Sequence, residues 1–403
     1  MTPRARVILL VVAVVAAIAA AAVMRSRTAR PAEGKPALLL PSAREQLGKI
    51  ARVHIKRGPA ETLLEQREQE GRPVWVVASK HGYPADSERV RKMIAELLDS
   101  RTVEAKTSKP ENYERIGVAE PEAPGAAGVL VDVQDPAGAS LGAVIIGNAS
   151  SAPTGEDSTL AGPRYFVRRK GEAQSWLAQG NLSVAAEPMS WVNRGPVEVD
   201  IAKVRAATIT HLGDMPETVA VSKQLAADGT FKFDALPEGR QPKDEFAATR
   251  VAQAISGVVI DDVAPASSVD MSQPELTAVF TTFEGQTITA TCASKDGARW
   301  WAFTASFEPT SAPPHPAAPE NADDATKAAA EKSRADAERM HQESMAAIQK
   351  KTEELNKRLA GWVFVLPDYK VKALMVRQEE LLAPPPPSEP APPVPAAPET
   401  PQG

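Results

Sequence analysis

The spacing of apolar positions changes several times along this chain, and each change predicts an element. Residues 7–24, VILLVVAVVAAIAAAAVM, are apolar throughout and carry no charge. At 1.5 Å per residue they make about 27 Å of helix, close to the thickness of a bilayer core. A cleaved leader has an apolar stretch of roughly 7 to 15 residues, so residues 1–27 read as a basic flank and a transmembrane anchor held in membrane lipid. Cleavage after Ala22 is the alternative, because Ala20-Ala21-Ala22 meets the small-x-small rule. Residues 28–43 combine Pro, Ala and charge without a period and read as a linker.

From residue 44 the pattern becomes that of strands and amphipathic helices. REQLGKIARVHIKR predicts a helical turn feeding a strand around Val53 to Ile55, followed by strands around Thr62 to Leu64 and over Pro73 to Ser79. Asp86 or Ser87 can cap a helix whose buried face is Val90, Ile94, Leu97 and Leu98. GVLVDVQ, GAVIIGN and RYFVRR predict three more strands, the first two joined by the turn Asp135-Pro136-Ala137-Gly138. The same order returns at an offset of about 157 residues. VRAATITHL echoes IARVHIKR, PETVAVSK echoes PAETLLEQ, and FKFDALPEG echoes VWVVASKHG. Lys243 to Val263 stands where the first helix stood, and LTAVFTTFEGQTITATC and ARWWAFTASF match the later strands. The expected fold class is therefore α+β, with two tandem duplicated β-β-β-α-β-β-β domains at 44–195 and 196–308.

The first domain ends on a hairpin arm carrying Ser175-Trp176. In the second, the matching arm, Gly361-Trp362, arrives only after residues 309–360, which hold the Pro-rich run PTSAPPHPAAPEN and a segment free of Gly and Pro, Ala322 to Ala360. That segment predicts one long helix inserted in the second repeat, about 58 Å at 1.5 Å per residue. Its narrow, coiled-coil-like stripe includes Ile348, Leu355 and Leu359, which are expected to dock on the second domain while the rest is solvated. Residues 361–383 supply a closing strand, WVFVLP, and a helix from Tyr369 to Leu382. Residues 384–403, half of them Pro, read as a disordered or polyproline II tail.

Charge and cysteine use narrow the functional classes. Forty-six Lys and Arg against 51 Asp and Glu leave a net charge of -5, with no positive excess to gather phosphate backbones, so nucleic acid is not an expected partner. Cys292 is the single cysteine, which excludes an internal disulfide and a Cys-rich zinc site. Arginines flank the apolar segment on both sides, at Arg4 and Arg6 and at Arg25, Arg27 and Arg30, so the positive-inside rule does not orient it. The order of a short basic start and an apolar run, with the Pro-rich tail, favours a body outside the cytoplasm.

Several motifs in order resemble the uncharacterised bacterial family catalogued as domain of unknown function 4340. They are Trp75 followed by Tyr83-Pro84-Ala85-Asp86 and the Val90 to Leu98 helix, then Tyr113-Glu114-Arg115-Ile116-Gly117-Val118 ahead of Glu120-Pro121. Ile145-Ile146-Gly147 before Tyr165-Phe166-Val167-Arg168 continues the pattern, as does Trp191-Val192-Asn193-Arg194. The likeness runs from about Arg44 to Leu382. It implies a membrane-tethered, extracytoplasmic protein linked with ABC-type transport systems of the gliding-motility auxiliary kind, and it implies no catalytic residues. The long insert and the Pro-rich tail depart from the family pattern.

No residue is assigned a catalytic, cofactor-binding or metal-ligating role. There is no G-x-S-x-G elbow, and Cys292 in a strand pattern reads as a small buried hydrophobe. His54, His81, His211, His315 and His341 lack a second ligand at helical metal-site spacing. His54 and His211 fall at corresponding places in the two repeats and read as strand-face residues. Asp261-Asp262 and Asp323-Asp324 read as a strand exit and a helix cap. Gly138, Gly142 and Gly147 read as hairpin turns and not a phosphate cradle. Of Trp300-Trp301 only one ring can face a groove. The expected function is a non-catalytic accessory or scaffold protein on the cell inner membrane, single-pass with a periplasmic body, docking on an integral membrane complex resembling an ABC transporter. The alternative is an envelope module for cell-wall glycan or peptide, resting on Trp176 and Trp301.

Overall fold

The computed structural model describes residues 36–69, 71–150, 162–312 and 323–384. The expected anchor at 7–24, the first half of the linker, most of the Pro-rich run at 309–321 and nearly all of the Pro-rich tail lie outside the described residues. The chain divides into two compact units, 1–193 and 194–403, each built on one antiparallel sheet.

The first unit starts inside the stretch expected to be linker. Strand β1 (Ala37–Leu38) and helix α1 (Pro41–Glu45) belong to the fold, and Leu39, Leu40 and Ala43 are buried. Pro41 suits the first turn of a helix, and the apolar ALLL before it has a sheet to bury against. Strands β2 (Arg52–Arg57), β3 (Ala60–Gln69), β4 (Arg72–Val77) and β5 (Tyr83–Pro84) follow. Helix α2 (Ser87–Asp99) is capped by Asp86, which accepts a hydrogen bond from Arg89 N at 3.0 Å. It buries Val90, Met93, Ile94, Leu97 and Leu98, the face its spacing predicts. Beyond it come β6 (Arg101–Ala105), the short helix α3 (Tyr113–Ile116), β7 (Val129–Gln134), β8 (Ser140–Ser150), β9 (Arg164–Arg169) and β10 (Ser175–Gln179). β2 alternates half-buried and buried positions, as a sheet with one core face requires. β7 is buried on both faces, because Tyr113, Ile116 and Val118 cover Leu130 and Ile145 from the other side.

The second unit holds β11 (Val204–His211), β12 (Glu217–Ser222), β13 (Lys232–Phe233), α4 (Ala247–Gln253), β14 (Asp262–Pro265), β15 (Leu276–Thr282), β16 (Gln286–Lys295) and β17 (Ala298–Phe307). Helix α5 (Asp324–Leu359), β18 (Trp362–Val365), α6 (Asp368–Leu374) and α7 (Gln378–Leu381) complete it. The first sheet runs β4-β3-β2-β7-β8-β9-β10-β6, with β5 and β1 added outside its two ends; the second runs β13-β12-β11-β15-β16-β17-β18-β14. Position by position the chain visits the strands in one order. Each unit has more strands than the six of the repeat pattern: the closing arm, expected in addition to them, pairs as β10 or β18, and the β-branched exit after the helix also pairs into the sheet, as β6 or β14.

Three expectations change in detail. The Lys243 to Val263 helix is only seven residues long, and Ile255, Val258 and Ile260 beyond it are buried in irregular chain. The single helix expected from Tyr369 to Leu382 is two, interrupted where Glu217 accepts hydrogen bonds from Gln378 N and Arg377. The long helix is one continuous element of 36 residues, about 54 Å at 1.5 Å per residue. It packs on β17 and β16.

Candidate functional site

The residues that carry chemistry are held apart from one another. Cys292, in β16, is wholly buried, and burial pushes its thiol up to about 12. A thiol so placed gives almost no thiolate at neutral pH. Native protein is therefore expected to leave Cys292 unmodified by a thiol-specific disulfide reagent at pH 8, with one equivalent reacting in denaturant; fast native reaction would contradict its burial.

Of the histidines, His315 lies outside the described residues. His54 Nε2 meets Glu61 Oε1 at 2.6 Å, whereas His211 is buried and its Nε2 lies 3.1 Å from Val376 O. They do not occupy corresponding faces: His54 alternates with the buried Val53 and Ile55, while His211 shares its face with the buried Ala207 and Ile209. The buried positions of the two strands, Val53 and Ile55 against Ala207 and Ile209, superpose only at an even offset, so an offset of 157 is out of register by an odd number of residues, which reverses the face. His341 Nε2 lies 2.8 Å from Thr310 O. His81 takes φ +58° after the 3-10 turn Ala78–Lys80.

Asp323-Asp324 starts a helix as expected, whereas Asp261-Asp262 stands at the entry of β14 and not at a strand exit. Asp261 binds Arg194 at 2.5 Å, and Asp262 accepts from Val263 N at 2.7 Å. Asp323 caps α5 through Thr326 N at 2.7 Å, and these hydrogen bonds with Thr326 hold its carboxyl below the usual range. Among the described residues no three His, Cys, Asp or Glu side chains gather as a metal group.

Trp301 is 0% exposed, packed in the core beside Cys292 and Phe364, so it presents no ring to a ligand. Half-buried Trp300 points to the other face. Trp176 is also half-buried, and the indole N–H groups of Trp176 and Trp301 have no protein partner among the described residues.

Gly138 is the turn it was read to be, with φ +85°. Gly142 and Gly147 are not turns, since both lie within β8. A Cβ on Gly147 would stand 2.2 Å from Ile116 O, and a Cβ on Gly128 would stand 2.3 Å from Gly117 O. The two glycines let the turn after α3 rest directly on the sheet.

That turn is held by a constellation that periodicity does not reveal. Arg168, 5% exposed, donates from Nε to Val118 O (2.9 Å), from Nη1 to Glu172 O (3.1 Å) and from Nη2 to Glu120 Oε1 (2.7 Å). Its guanidinium lies 4.6 Å from the Tyr113 ring centroid, and the Tyr113 hydroxyl donates to Ala173 O. Arg169, on the other face, donates to Leu39 O (2.7 Å) and Leu38 O (3.2 Å), tying down the start of the fold. The planar fork satisfies several acceptors at fixed geometry, which is structural work. Trp191 is buried too, its indole N–H donating to Ala185 O at 3.0 Å, with Arg89 5.4 Å from its ring centroid.

Lys370 is 9% exposed and donates to Ser256 O, with no described carboxylate paired to it. Burial lowers its pKa from 10.5. The unfolded chain thus holds this proton more tightly, so the burial penalty is present at neutral pH and fades as pH rises toward 10.5. Lys370→Met is expected to raise stability by about 1 kcal/mol at pH 7 in urea titrations, with the gain shrinking at higher pH.

An open groove of about 950 Å³ lies at the foot of α5. Lys203 bridges Glu284 across it at 2.9 and 3.1 Å, and Glu198, Asp200, Ile348 and Lys351 add mixed charge with a small apolar strip. The helix that walls it is fixed at its C-terminal end. Gln286 donates to Thr352 Oγ1 (2.9 Å), Arg358 donates to Pro196 O (3.0 Å), and Leu359 is buried. The Asn356 amide accepts from Ala305 N (2.8 Å) and donates to Ala305 O. It thereby fills the edge of β17 that β18 leaves open, since β18 pairs only with Trp300 and Trp301. Ile348 and Leu355 are half-buried, in line with the expected docked stripe. Toward its start the helix is exposed, Met340 at 67%.

Residues 75–277 match the protein family described as Domain of unknown function (DUF4340). No curated protein matches the chain, and no solved structure matches it.

Proposed function

The chain belongs to the DUF4340 family, and from that membership we propose that it is a non-catalytic accessory protein of a membrane complex. In this reading residues 7–24 anchor it in the inner membrane, the body stands outside the cytoplasm, and an integral membrane assembly of the ABC-transport kind is its partner. The fold is two copies of one duplicated unit, a reading supported by the shared strand order, and the second copy carries the docking element.

The observation behind this is α5. Its last turns are tied to β16 and β17, while its first half is exposed and balanced in charge. A helix fixed at one end and solvated at the other holds a surface away from the sheet, which suits binding better than core packing. The glycan or peptide alternative loses one of its two aromatic supports with Trp301 buried.

The test is co-purification in mild detergent with a photo-crosslinker at Ala329. Recovery of an integral membrane protein, lost when residues 324–337 are removed, is the expected result. Recovery of no membrane partner by the full chain would refute the reading. Because none of those fourteen residues is buried, their removal is expected to leave the melting temperature within about 1 °C, as measured by calorimetry.

A further inference from the structure

The first unit holds a second kind of site, a pocket of about 230 Å³ between α2, the sheet and the segment from Arg44 to Ile50. Its floor is apolar: Ile50, Trp75 and Ile94 are each no more than 6% exposed. Leu47 stands at the edge, 49% exposed, an aliphatic side chain with one side left to water. Arg44, Gln66 and Arg91 supply the polar part of the lining, and no carboxylate lines it. Arg44 is engaged by Asp99 at 2.8 Å. Arg91 is exposed on α2, with no described carboxylate paired to it.

An apolar floor beside an unpaired guanidinium selects for a group that is apolar in body and anionic at one end. Ligand pockets for whole small molecules run from about 300 to 1,000 Å³. At about 230 Å³ this one takes a single side chain with its attached charge. The Gln66 amide, both donor and acceptor, suits a peptide group next to that residue. We propose that this pocket receives the C-terminal residue of a polypeptide, an aliphatic side chain with a free α-carboxylate. The side chain lies on Trp75 under Leu47, and the carboxylate takes the Arg91 fork, a mode of terminal-carboxylate capture that needs no movement of the sheet. The site is in the first unit and does not rest on the docking role of α5.

Calorimetric titration of the full chain in lipid nanodiscs tests it, with N-acetyl-Ala-Ala-Leu as free acid, the same peptide as C-terminal amide, and hexanoate. The free acid is expected to bind and the amide to bind at least about tenfold more weakly, the loss of one charge-assisted contact. Arg91→Gln should weaken the free acid by about tenfold, and Ala95→Phe, an exposed position of α2 on the pocket wall, should block it. Both are surface changes, and matching thermal melts would show that each variant folds. Equal affinity for acid and amide, undiminished binding by both variants, or no binding of the acid at millimolar concentration would overturn the proposal. So would binding of hexanoate without binding of the peptide.

Discussion

Arg168→Met is expected to destabilise the first unit by about 3 kcal/mol, because it removes a buried cation from several acceptors at once and leaves two of them, Val118 O and Glu172 O, without a donor. For a unit of this size that is a fall of roughly 10 °C in melting temperature. Lysine should not rescue it, since a point charge cannot reproduce three bonds fanned from one plane. Glu120→Gln should cost far less, about 1 kcal/mol or below, because the Glu120 side chain is 46% exposed and water can replace its partner. Differential scanning calorimetry on the three variants gives the order. If Arg168→Met melted with the wild type, the clamp would not hold the turn that follows α3.

Gly147→Ala should be as damaging, for an unrelated reason. Its Cβ would meet Ile116 O at 2.2 Å and Gly117 O at 2.9 Å, and both are backbone atoms. Neither can swing aside as a side chain tip would. The turn must lift off the sheet, and overpacking of this kind costs about 3 kcal/mol. Gly142→Ala, in the same strand, makes its nearest contact at 3.3 Å with Leu40 Cδ2, which can yield. Urea titrations should separate the two by about 2 kcal/mol or more. Similar midpoints would mean that the turn does not press on β8 as described.

These two cases mark how far the sequence alone reaches. Period-two alternation located β2, β11 and β15 because their cores lie on one face, and the absence of Gly and Pro behind the Asp323 cap located α5. Local rules suffice where an element's signal is carried by its own residues. The ALLL before Pro41 was read as linker because a short apolar run beside Pro has no periodicity of its own; its burial depends on Arg169, 130 residues away. Arg168 stands among the family motifs, but its role as a clamp is invisible there, since Val118 O is 50 positions distant and a carbonyl leaves no trace in residue type. Alternation separated Trp300 from Trp301, but which face is core depends on the neighbouring strands. Cys292 opposite Trp301 was the available hint, because a strand neighbour read as buried implies the same for its partner.

The fastening of α5 at one end sets a rule for how its length can drift. Among the described residues, the ties from the helix to the rest of the unit lie at or after His341: Thr310 O to His341, Gln286 to Thr352, Ala305 to Asn356, Pro196 to Arg358. Adding or removing seven residues before His341 would move the tip by about 10.5 Å and turn it by only about 20°. Four residues would shift it by about 6 Å and swing it about 40°. Insertions in whole heptads therefore telescope the same face to a new height, whereas other lengths aim a different face. Related chains that kept a common partner at a changed distance from the sheet would be expected to differ in this stretch by multiples of seven.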